Sequence, residues 1–405
     1  MQALNDLDLP YLAMEQEGFA ADACSAFAAA RVQQPWIARC AFGYVVHEHG
    51  AIEDLLRMDE HMCPSFDNII ETMGAEDTPW GRFTSIQLLA HTGESHKRMR
   101  DILAPMFTPA AANRNRPLMR ATMQELLDEW LPRGEFDFEE FISYFPISVL
   151  CAMVGAPRGE IPRLRKSLET MGLGFAMDPT LLPQLQEAIG VLDEFVQNLV
   201  ANRRAEEPHA EPQDLLDDLL FAGTAGKLSD REIYDLLIFM FVAGYDTSKN
   251  VMTLTMHMLL DKPECYARCA EDVNYCARVV EEAIRLRNPS MIFRKVAKDI
   301  EYRGVLLPAG TMLFFAVNIS GHDPRYFDDA DEFAPEQQRK ARHAAFGRGM
   351  HICLGQFIAR AQITEGLHLI AQQLHNPRRT GEVHYRPFYG VSGLKGLPIA
   401  FDAAA

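Results

Sequence analysis

The decapeptide at 346–355, Phe-Gly-Arg-Gly-Met-His-Ile-Cys-Leu-Gly, constrains the fold of this chain more than any other segment. Its cysteine, Cys353, lies in a glycine-containing loop that runs into an apolar, helix-forming stretch. Gly347 and Gly349 allow backbone angles that other residues rarely adopt, so the loop can lie against a flat ligand. The following helix would point its N-terminal amides at the sulfur, which favours the thiolate. A thiolate held in this way is a suitable ligand for a metal such as heme iron.

Length and charge limit the other possibilities. A chain of 405 residues can enclose a buried cofactor in one large core or in two lobes. Its formal charge of −17 argues against nucleic acid or an anionic membrane as a main partner. The apolar runs 236–244 and 147–152 are too short to span a bilayer, and residues 1–14 lack the pattern of a signal peptide. We therefore expect a cytoplasmic protein.

The cysteines do not form a disulfide framework, since none of the eight belongs to a CxxC pair. Cys265 and Cys269 are four residues apart on a predicted helix, which leaves two interpretations, a metal pair or two incidental thiols. Because no histidine or further cysteine lies beside them at ligand spacing, we favour incidental thiols.

A long helix is predicted to begin at the capping box 229–232 and to continue to Leu260 without a proline. Its middle is apolar on nearly every face, so it must be buried. A membrane span is the alternative interpretation, but it is interrupted by Asp246, Lys249 and Asn250.

The remaining pattern is mostly helical with a minor sheet. Residues 110–225 are predicted to be helical with interruptions at Pro146, Pro157, Pro179 and Pro183, and 202–213 to be an exposed loop. Another helix is predicted at 274–287. The segments with strand character are 42–47, 293–296, 301–306 and 311–317.

The segment 243–248, Ala-Gly-Tyr-Asp-Thr-Ser, places polar residues inside the long helix where burial disfavours them. Gly244 costs about 1 kcal/mol relative to alanine, and the Asp246 carboxylate is expensive to bury unless it is paired. The Thr247 hydroxyl can donate to the Ala243 carbonyl and bend the helix. Taken alone, the segment is either a kink without function or part of a site.

Together these segments resemble the motifs of the cytochrome P450 family. The family patterns Phe-Gly-x-Gly-x-His-x-Cys-x-Gly, Ala-Gly-x-Asp-Thr and Glu-x-x-Arg match 346–355, 243–247 and 282–285 in family order. The stretch 321–324 departs from the family's Asn-Arg-Asp-Pro, because it has Gly-His in the first two places. The resemblance implies one P450 domain over 1–405, mostly α with minor β, with heme buried between the long central helix and the cysteine loop.

The resemblance also implies roles for individual residues. Thr247 would hydrogen-bond the bound dioxygen and Asp246 would relay protons from solvent, which makes these two the catalytic residues. Glu282 and Arg285 would form a buried structural brace. The cofactor would be heme b (iron protoporphyrin IX), with the Cys353 thiolate as its axial metal ligand. The other expected cofactor-binding residues are His96, Arg100, Gly244, Arg294, Phe346, Gly347, His351 and Gly355.

The function that the resemblance implies is that of a monooxygenase, an oxidoreductase that inserts one atom of O2 into an apolar small molecule. Since no flavin or nicotinamide domain fits in the chain, electrons would come from a ferredoxin and an NAD(P)H-dependent ferredoxin reductase. Basic clusters at 339–348 and 97–120 would dock that partner or be ordinary solvated charge. The alternatives are a peroxide-driven or non-oxygenating heme-thiolate enzyme and a heme-based binding protein without turnover.

Apolar segments are the candidates for the walls of a substrate pocket. The long helix contributes Val242, Ala243 and Tyr245, and 291–293 contributes a methionine, an isoleucine and a phenylalanine. Residues 391–394 and the loop around 171–177 are further candidates. These walls carry no obvious fixed charge, which favours an apolar substrate.

Overall fold

The computed structural model describes residues 2–207, 209 and 211–403. Helices dominate these residues, as the sequence predicts. The α-helices are α1 (Ala23–Gln33), α2 (His49–Leu55), α3 (Phe66–Thr72), α4 (Pro79–Ile86), α5 (Gly93–Leu103), α6 (Pro109–Trp130), α7 (Phe138–Met153), α8 (Ile161–Gly172), α9 (Leu182–Ala205), α10 (Leu215–Thr224), α11 (Asp230–Leu259), α12 (Pro263–Glu271), α13 (Val273–Leu286) and α14 (Gln356–Gln373).

Short strands form three small sheets. The strands are β1 (Gln2–Ala3), β2 (Ile37–Cys40), β3 (Gly43–Val46), β4 (Met62–Cys63), β5 (Glu135–Asp137), β6 (Ile292–Val296), β7 (Ile300–Tyr302), β8 (Val305–Leu307), β9 (Met312–Phe315), β10 (Leu374–Arg379) and β11 (Pro398–Ala403). The largest sheet has the order β2-β3-β9-β6-β4, and the others are β1-β8-β7 and β10-β11-β5. In the largest sheet β3 runs parallel to β9 with Tyr44 opposite Leu313, while β6 is antiparallel to β9.

The predicted strand at 301–306 is two strands rather than one. β7 and β8 are antiparallel, with Tyr302 opposite Val305. The chain reverses at Arg303 and Gly304, which have φ values of 51° and 77°. Two successive residues with positive φ form the tight turn that matches the twist of a hairpin. The run of strand-forming residues concealed this turn, because arginine is not a residue that the left-handed region favours.

The prediction that Pro146 interrupts the helical region is wrong, because Pro146 lies inside α7. Phe145, Pro146 and Ile147 are all buried, and tertiary packing outweighs the local cost of an internal proline, which is about 3 kcal/mol. Pro179 and Pro183 lie at the starts of helical segments, where proline is tolerated. The predicted loop 202–213 begins inside α9, and its positions 208 and 210 lie outside the described residues.

α11 is the central helix, and it begins with the predicted capping box between Ser229 and Glu232. Its 30 residues extend about 45 Å at 1.5 Å each. α11 contacts α7, α8, α9, α13 and α14, and α14 in turn packs against α6, α12 and α13. Within the described residues, no helix combines the length and the hydropathy needed to cross a bilayer.

The Glu282–Arg285 pair of α13 is buried, with side-chain exposures of 6% and 2%. Arg285 Nε and Nη2 donate to the two carboxylate oxygens of Glu282 at 2.8 and 2.7 Å. The other three bonds go to the backbone carbonyls of Gly321 (2.5 Å), Ala330 (2.7 Å) and Glu332 (2.9 Å). Since a guanidinium has five N–H donors, Arg285 is fully satisfied. The brace predicted from the sequence is therefore present, and it fixes the irregular backbone after β9.

We predict that Arg285→Met lowers the free energy of unfolding by about 3–5 kcal/mol, since it leaves the Glu282 carboxylate buried without its main partner. Arg268→Met is a matched control, because Arg268 makes the same two-bond contact with Glu336 at the surface. The control is expected to change stability little, because exposed ion pairs contribute little. Denaturant unfolding measures the free energy of unfolding of both variants. An equal loss of stability in the two would contradict the structural role of the brace.

Candidate functional site

The cysteine loop is a tight turn that leads into α14. Gly347 and Gly349 both have φ of 71°, as the sequence predicts for glycines in this loop. A Cβ atom on Gly349 would lie 2.4 Å from the Leu56 carbonyl oxygen, and one on Gly347 would lie 3.0 Å from Ile292 Cδ1. The Cys353 amide donates to the Phe346 carbonyl at 2.8 Å, which closes the loop. Only glycine fits the positions that bring this backbone so close to its neighbours.

The Cys353 sulfur is enclosed by protein, although the residue retains accessible surface. That surface therefore faces an interior space rather than bulk solvent. Burial is the largest influence and raises the pKa of the Cys353 thiol, whereas the amides of Gly355 and Gln356 and the charges of Arg100 and Arg360 act in the opposite direction. A thiol in this setting needs a further positive charge to ionise, and a bound metal ion supplies one. The surroundings of the sulfur thus fit a metal ligand.

Four cationic or donor side chains converge beside the loop from three elements. His96 and Arg100 come from α5, Arg294 from β6, and His351 from the loop itself. The rings of His96 and His351 are 4.4 Å apart between centroids. Arg100 donates only to the Ile352 carbonyl at 2.6 Å, and Arg294 only to its neighbour Phe293 at 2.8 Å. Among the described residues, neither arginine is paired with a carboxylate within ion-pair distance.

The polar atoms of this cluster lack partners. His96 Nε2 and both ring nitrogens of His351 are buried without a hydrogen bond among the described residues. Burial, together with Arg294, His96 and Arg100, lowers the pKa of His351 to about 3, and burial lowers the pKa of Arg294 to about 10. Buried ring nitrogens without a partner, beside two arginines that no carboxylate pairs, favour the binding of an anion. The two carboxylates of a heme would supply it, so the residues fit that cofactor.

Phe346 and Gly355 lie close to the cysteine and to α14. The Arg360 guanidinium lies over the Phe346 ring, 4.2 Å from its centroid. The nearest neighbour of a Cβ atom on Gly355 would be Cys353 Sγ at 4.0 Å. His343 is 5.9 Å from Phe346 between ring centroids and bonds Glu281 at 2.9 Å. These side chains therefore support the loop from the α14 side.

Near the middle of α11, one stripe of residues is accessible although most of their neighbours are buried. Ala243 is exposed, while Phe239, Val242 and Thr247 are partly exposed. Thr247 Oγ1 donates to the Ala243 carbonyl at 2.9 Å, as predicted. Positions 239, 243 and 247 follow at i+4 spacing, so they share one face. This face is therefore partly uncovered, and the predicted catalytic Thr247 lies on it.

Gly244 and Tyr245 point away from that stripe. A Cβ atom on Gly244 would lie 3.1 Å from Leu150 Cδ1, so this glycine permits the close approach of α7. Its expected contact with the cofactor stays a prediction. Tyr245 is fully buried and its hydroxyl donates to Glu169 at 3.2 Å, which removes it from the candidate pocket wall.

Asp246, the predicted proton relay, is buried in a network of charges. Its Oδ1 accepts from Arg386 Nη1 at 2.7 Å and from Asn250 Nδ2 at 3.0 Å, and it lies 3.4 Å from Lys249 Nζ. Lys249 Nζ also contacts Glu139 of α7 at 2.6 Å. Asp246 Oδ2 has no partner among the described residues. Two positive and two negative side chains thus share one interior site.

Sequence reasoning missed Arg386 and Glu139 as members of this network. The sequence did indicate an acidic partner such as Glu139, since Lys249 lies in an apolar helix and a buried lysine requires one. Nothing in the sequence indicated Arg386, because it is 140 residues from Asp246.

The predicted basic clusters are largely neutralised within the molecule. Arg116 and Arg120 both bond the buried Glu365 of α14, at 2.7 and 2.9 Å. Arg348 pairs with Glu53, and Arg360 with Glu281 at 2.7 Å. The further pairs are Lys97–Asp101, Arg98–Glu232, Arg339–Glu282 and Lys340–Asp328. The unpaired positive charge of these two clusters is therefore smaller than the sequence suggests.

Comparisons with known proteins agree on one family. A sequence model of the family described as "Cytochrome P450" matches residues 77–375. The chain is 31% identical over 402 residues to luteothin monooxygenase of Streptomyces thioluteus, covering 98% of this chain and 97% of the relative. It is 28% identical over 371 residues to pentalenic acid synthase of Streptomyces avermitilis, covering 88% of each chain.

A solved structure shares the fold. The crystal structure of CalO2 superposes with a TM-score of 0.86 at 22% sequence identity, covering 98% of this chain and 100% of the other. At this identity the likeness concerns the fold alone.

We predict that Gly172→Ala disrupts the network around Asp246. A Cβ atom at Gly172, the last residue of α8, would lie 2.2 Å from Asp246 Oδ2 and 3.3 Å from Arg386 Nη2. Displacing this ion pair is expected to lower the free energy of unfolding by about 1–3 kcal/mol. Gly190→Ala in α9 is the matched control, since nothing lies within 4 Å of its added Cβ, and it is expected to stabilise the protein by up to about 1 kcal/mol. A stabilising effect of both substitutions in thermal or denaturant unfolding would contradict the packing around Asp246.

Proposed function

Because the chain belongs to the cytochrome P450 family, whose relatives are monooxygenases and therefore oxidoreductases, we propose that it hydroxylates an apolar small molecule. One atom of O2 enters a C–H bond of the substrate, and two electrons and two protons convert the other atom to water. The observation that carries the proposal is the enclosed Cys353 sulfur beside a cluster of buried donors without an anion. This donor set matches the iron and the two carboxylates of heme b.

The proposed cofactor contacts divide into three groups. Cys353 would hold the iron through its thiolate. His96, Arg100, Arg294 and His351 would bind the two carboxylates. The residues that shape the loop and the opposite helix are Phe346, Gly347, Gly355 and Gly244. When bound, the heme supplies the activation of dioxygen, and the single domain over 1–405 supplies the enclosure.

Thr247 and Asp246 are proposed to deliver protons. The Thr247 hydroxyl lies on the accessible stripe, where it can exchange its bond to Ala243 for one to oxygen. Asp246 forms an ion pair with Arg386 at 2.7 Å. In this proposal Asp246 relays a proton only after it separates from Arg386 and takes one up from solvent.

An apolar substrate is proposed from the aromatic side chains of the predicted pocket walls. Phe293 packs against Phe66 and Phe175, each with a centroid distance of 5.5 Å. Phe175 belongs to the predicted loop at 171–177. Apolar and aromatic walls of this kind bind ligands mainly by burial of apolar surface. A ligand screen that follows the spin state of the heme tests this point, and a preference for charged compounds would contradict it.

Electrons are proposed to come from a ferredoxin and an NAD(P)H-dependent ferredoxin reductase. A groove of about 1370 Å³ lies on the α14 side of the cysteine loop, lined in part by Arg278, Arg342, Gln356 and Phe357. Phe357 is 39% exposed, and no described acid pairs with Arg278 or Arg342 within ion-pair distance. Exposed cations around an aromatic side chain suit an acidic partner.

A cytoplasmic location is proposed as well, since all eight cysteines are free thiols, as is typical of a reducing compartment.

We predict that Cys353→His removes the red-shifted Soret band of the reduced carbonyl complex, after which the family is named. The band depends on the thiolate ligand, so an imidazole ligand does not reproduce it. Cys265→Ser is the control, because that thiol is partly exposed and lies in α12. An unchanged band in Cys353→His would disprove the assignment of the metal ligand.

We predict that Thr247→Ala uncouples electron consumption from product formation, with more hydrogen peroxide and less hydroxylated product per NAD(P)H. Loss of a positioned proton donor typically costs about 10²–10⁴-fold in the step it serves. Thr255→Ala is the matched control, because Thr255 makes the same bond in the same helix, to the Val251 carbonyl at 2.7 Å, but is buried.

The assay contains substrate, ferredoxin and reductase, and it measures NAD(P)H oxidised, peroxide and product. Unchanged coupling in Thr247→Ala would contradict the role of the hydroxyl. Full turnover with hydrogen peroxide in place of the redox proteins would favour the alternative of a peroxide-driven enzyme.

A further inference from the structure

A second group of reactive side chains lies away from the cysteine loop. Cys24 is the second residue of α1, and its Sγ is 3.7 Å from His322 Nε2. His322 Nδ1 is 2.7 Å from Asp331 Oδ1, and His322 Nε2 is 2.9 Å from the Leu286 carbonyl oxygen. His322 belongs to the Gly-His pair at which the sequence departs from the family's Asn-Arg. The cluster is therefore a feature of this chain that the proposed monooxygenase activity does not use.

The hydrogen bonds determine the protonation state of His322. Its two ring nitrogens face a carboxylate and a backbone carbonyl, which both accept hydrogen bonds. Each nitrogen therefore carries a proton, so the ring is an imidazolium. Although burial favours the neutral ring, Cys24, Asp331 and the Leu286 carbonyl raise the pKa of His322. The Nε2 proton is shared between the carbonyl and the sulfur.

The charges around Cys24 favour its thiolate. His322 and Arg287 face the sulfur from outside α1, and Arg31 lies on α1 itself. The amino end of α1 adds a positive potential. Asp331 acts against them, and its side chain is 81% exposed. Although burial is the largest influence and raises it, these groups together lower the pKa of the Cys24 thiol.

Two other thiols of similar exposure behave differently. Cys63 and Cys265 are also partly exposed, but burial raises the pKa of both. Cys63 donates to the Lys295 carbonyl, which favours the thiol form. Cys63 and Cys265 therefore serve as internal references for an ordinary, partly exposed cysteine.

We propose that Cys24 is a modification site, a thiolate that hydrogen peroxide oxidises to a sulfenic acid. The sulfur attacks one peroxide oxygen, so that an S–O bond forms and the O–O bond breaks. The sulfur gives up two electrons, and the departing hydroxide takes a proton from solvent and becomes water. His322 and Asp331 are positioning residues, since they hold a positive charge beside the sulfur without reacting. The reaction involves no heme, so its failure would leave the proposed monooxygenase activity untouched.

Iodoacetamide is the first probe, applied briefly to the heme-loaded protein and read by mass spectrometry at each cysteine. At about pH 6.5, roughly two units below the ordinary thiol pKa, we expect Cys24 to be alkylated about tenfold faster than Cys63 and Cys265. Asp331→Asn removes a direct repulsion at Cys24, but it also removes the carboxylate that keeps His322 charged. Because the imidazolium contacts the sulfur, its loss is expected to dominate, to slow alkylation of Cys24 several-fold and to move its pH midpoint upward, while Cys63 and Cys265 keep their rates. This variant changes an exposed side chain, so it leaves the fold intact.

Asp328→Asn is the matched control, because Asp328 is a nearby exposed acid that pairs with Lys340 instead of His322. If iodoacetamide alkylates Cys24 at the same rate as Cys63 and Cys265, the assignment of a thiolate to Cys24 is overturned. An equal effect of Asp328→Asn and Asp331→Asn would overturn the role of the His322–Asp331 pair.

Dimedone, which traps sulfenic acids, is the second probe, used with dilute hydrogen peroxide. The proposal expects the dimedone adduct at Cys24 before Cys63 and Cys265. Fast alkylation of Cys24 without a preferential adduct would overturn the peroxide step.

Discussion

The irregular backbone between β9 and α14, residues 316–355, depends on hydrogen bonds from buried arginines. This stretch contains no strand and only short helical turns, so its carbonyls lack the partners that sheets and helices provide. Arg285 supplies three of these bonds, and Arg348 donates to the carbonyls of His343 and Gly347. Guanidinium groups thus replace a hydrogen-bond ladder, and they hold the cysteine loop in a shape that secondary structure does not impose.

The two sides of the proposed heme site differ in how their charges are balanced. On the loop side, ring nitrogens of His96 and His351 lack a partner, and Arg100 and Arg294 donate only to backbone carbonyls, which makes the site complementary to an anion. On the α11 side, the Asp246 carboxylate is balanced by Arg386 and Lys249, and Lys249 by Glu139. The first side can be completed only by a ligand, whereas the second is neutralised within the protein. In our proposal, the first side binds the cofactor and the second side handles protons.

The cysteines show how strongly position controls one functional group. Burial raises the pKa of Cys151 to about 12, which makes it an inert core thiol. Cys353 experiences burial and several opposing positive charges, and in our proposal a bound metal completes its ionisation. Cys24 combines the imidazolium of His322 with a helix amino end, and its pKa falls. A single residue type thus serves packing and, in our proposals, metal binding and reaction with peroxide.

The sequence by itself determined the features that arise between near neighbours. The capping box of α11, the bond from Thr247 to Ala243 and the positive φ of Gly347 and Gly349 all follow from residues at most four positions apart. The Glu282–Arg285 pair also joins near neighbours, although its burial could be predicted only from the resemblance to the family. Local geometry depends on the chain alone, so a pattern can predict it.

Tertiary structure decided everything that joins distant residues. Asp246 meets Arg386 across 140 positions, and Cys24 meets His322 across 298. It also overrode local propensity where Pro146 remains inside α7. Such contacts depend on how helices and loops pack after they form, and no short-range pattern encodes which side chains then face each other. The charges that surround Asp246 and, in our proposal, activate Cys24 are therefore properties of the fold.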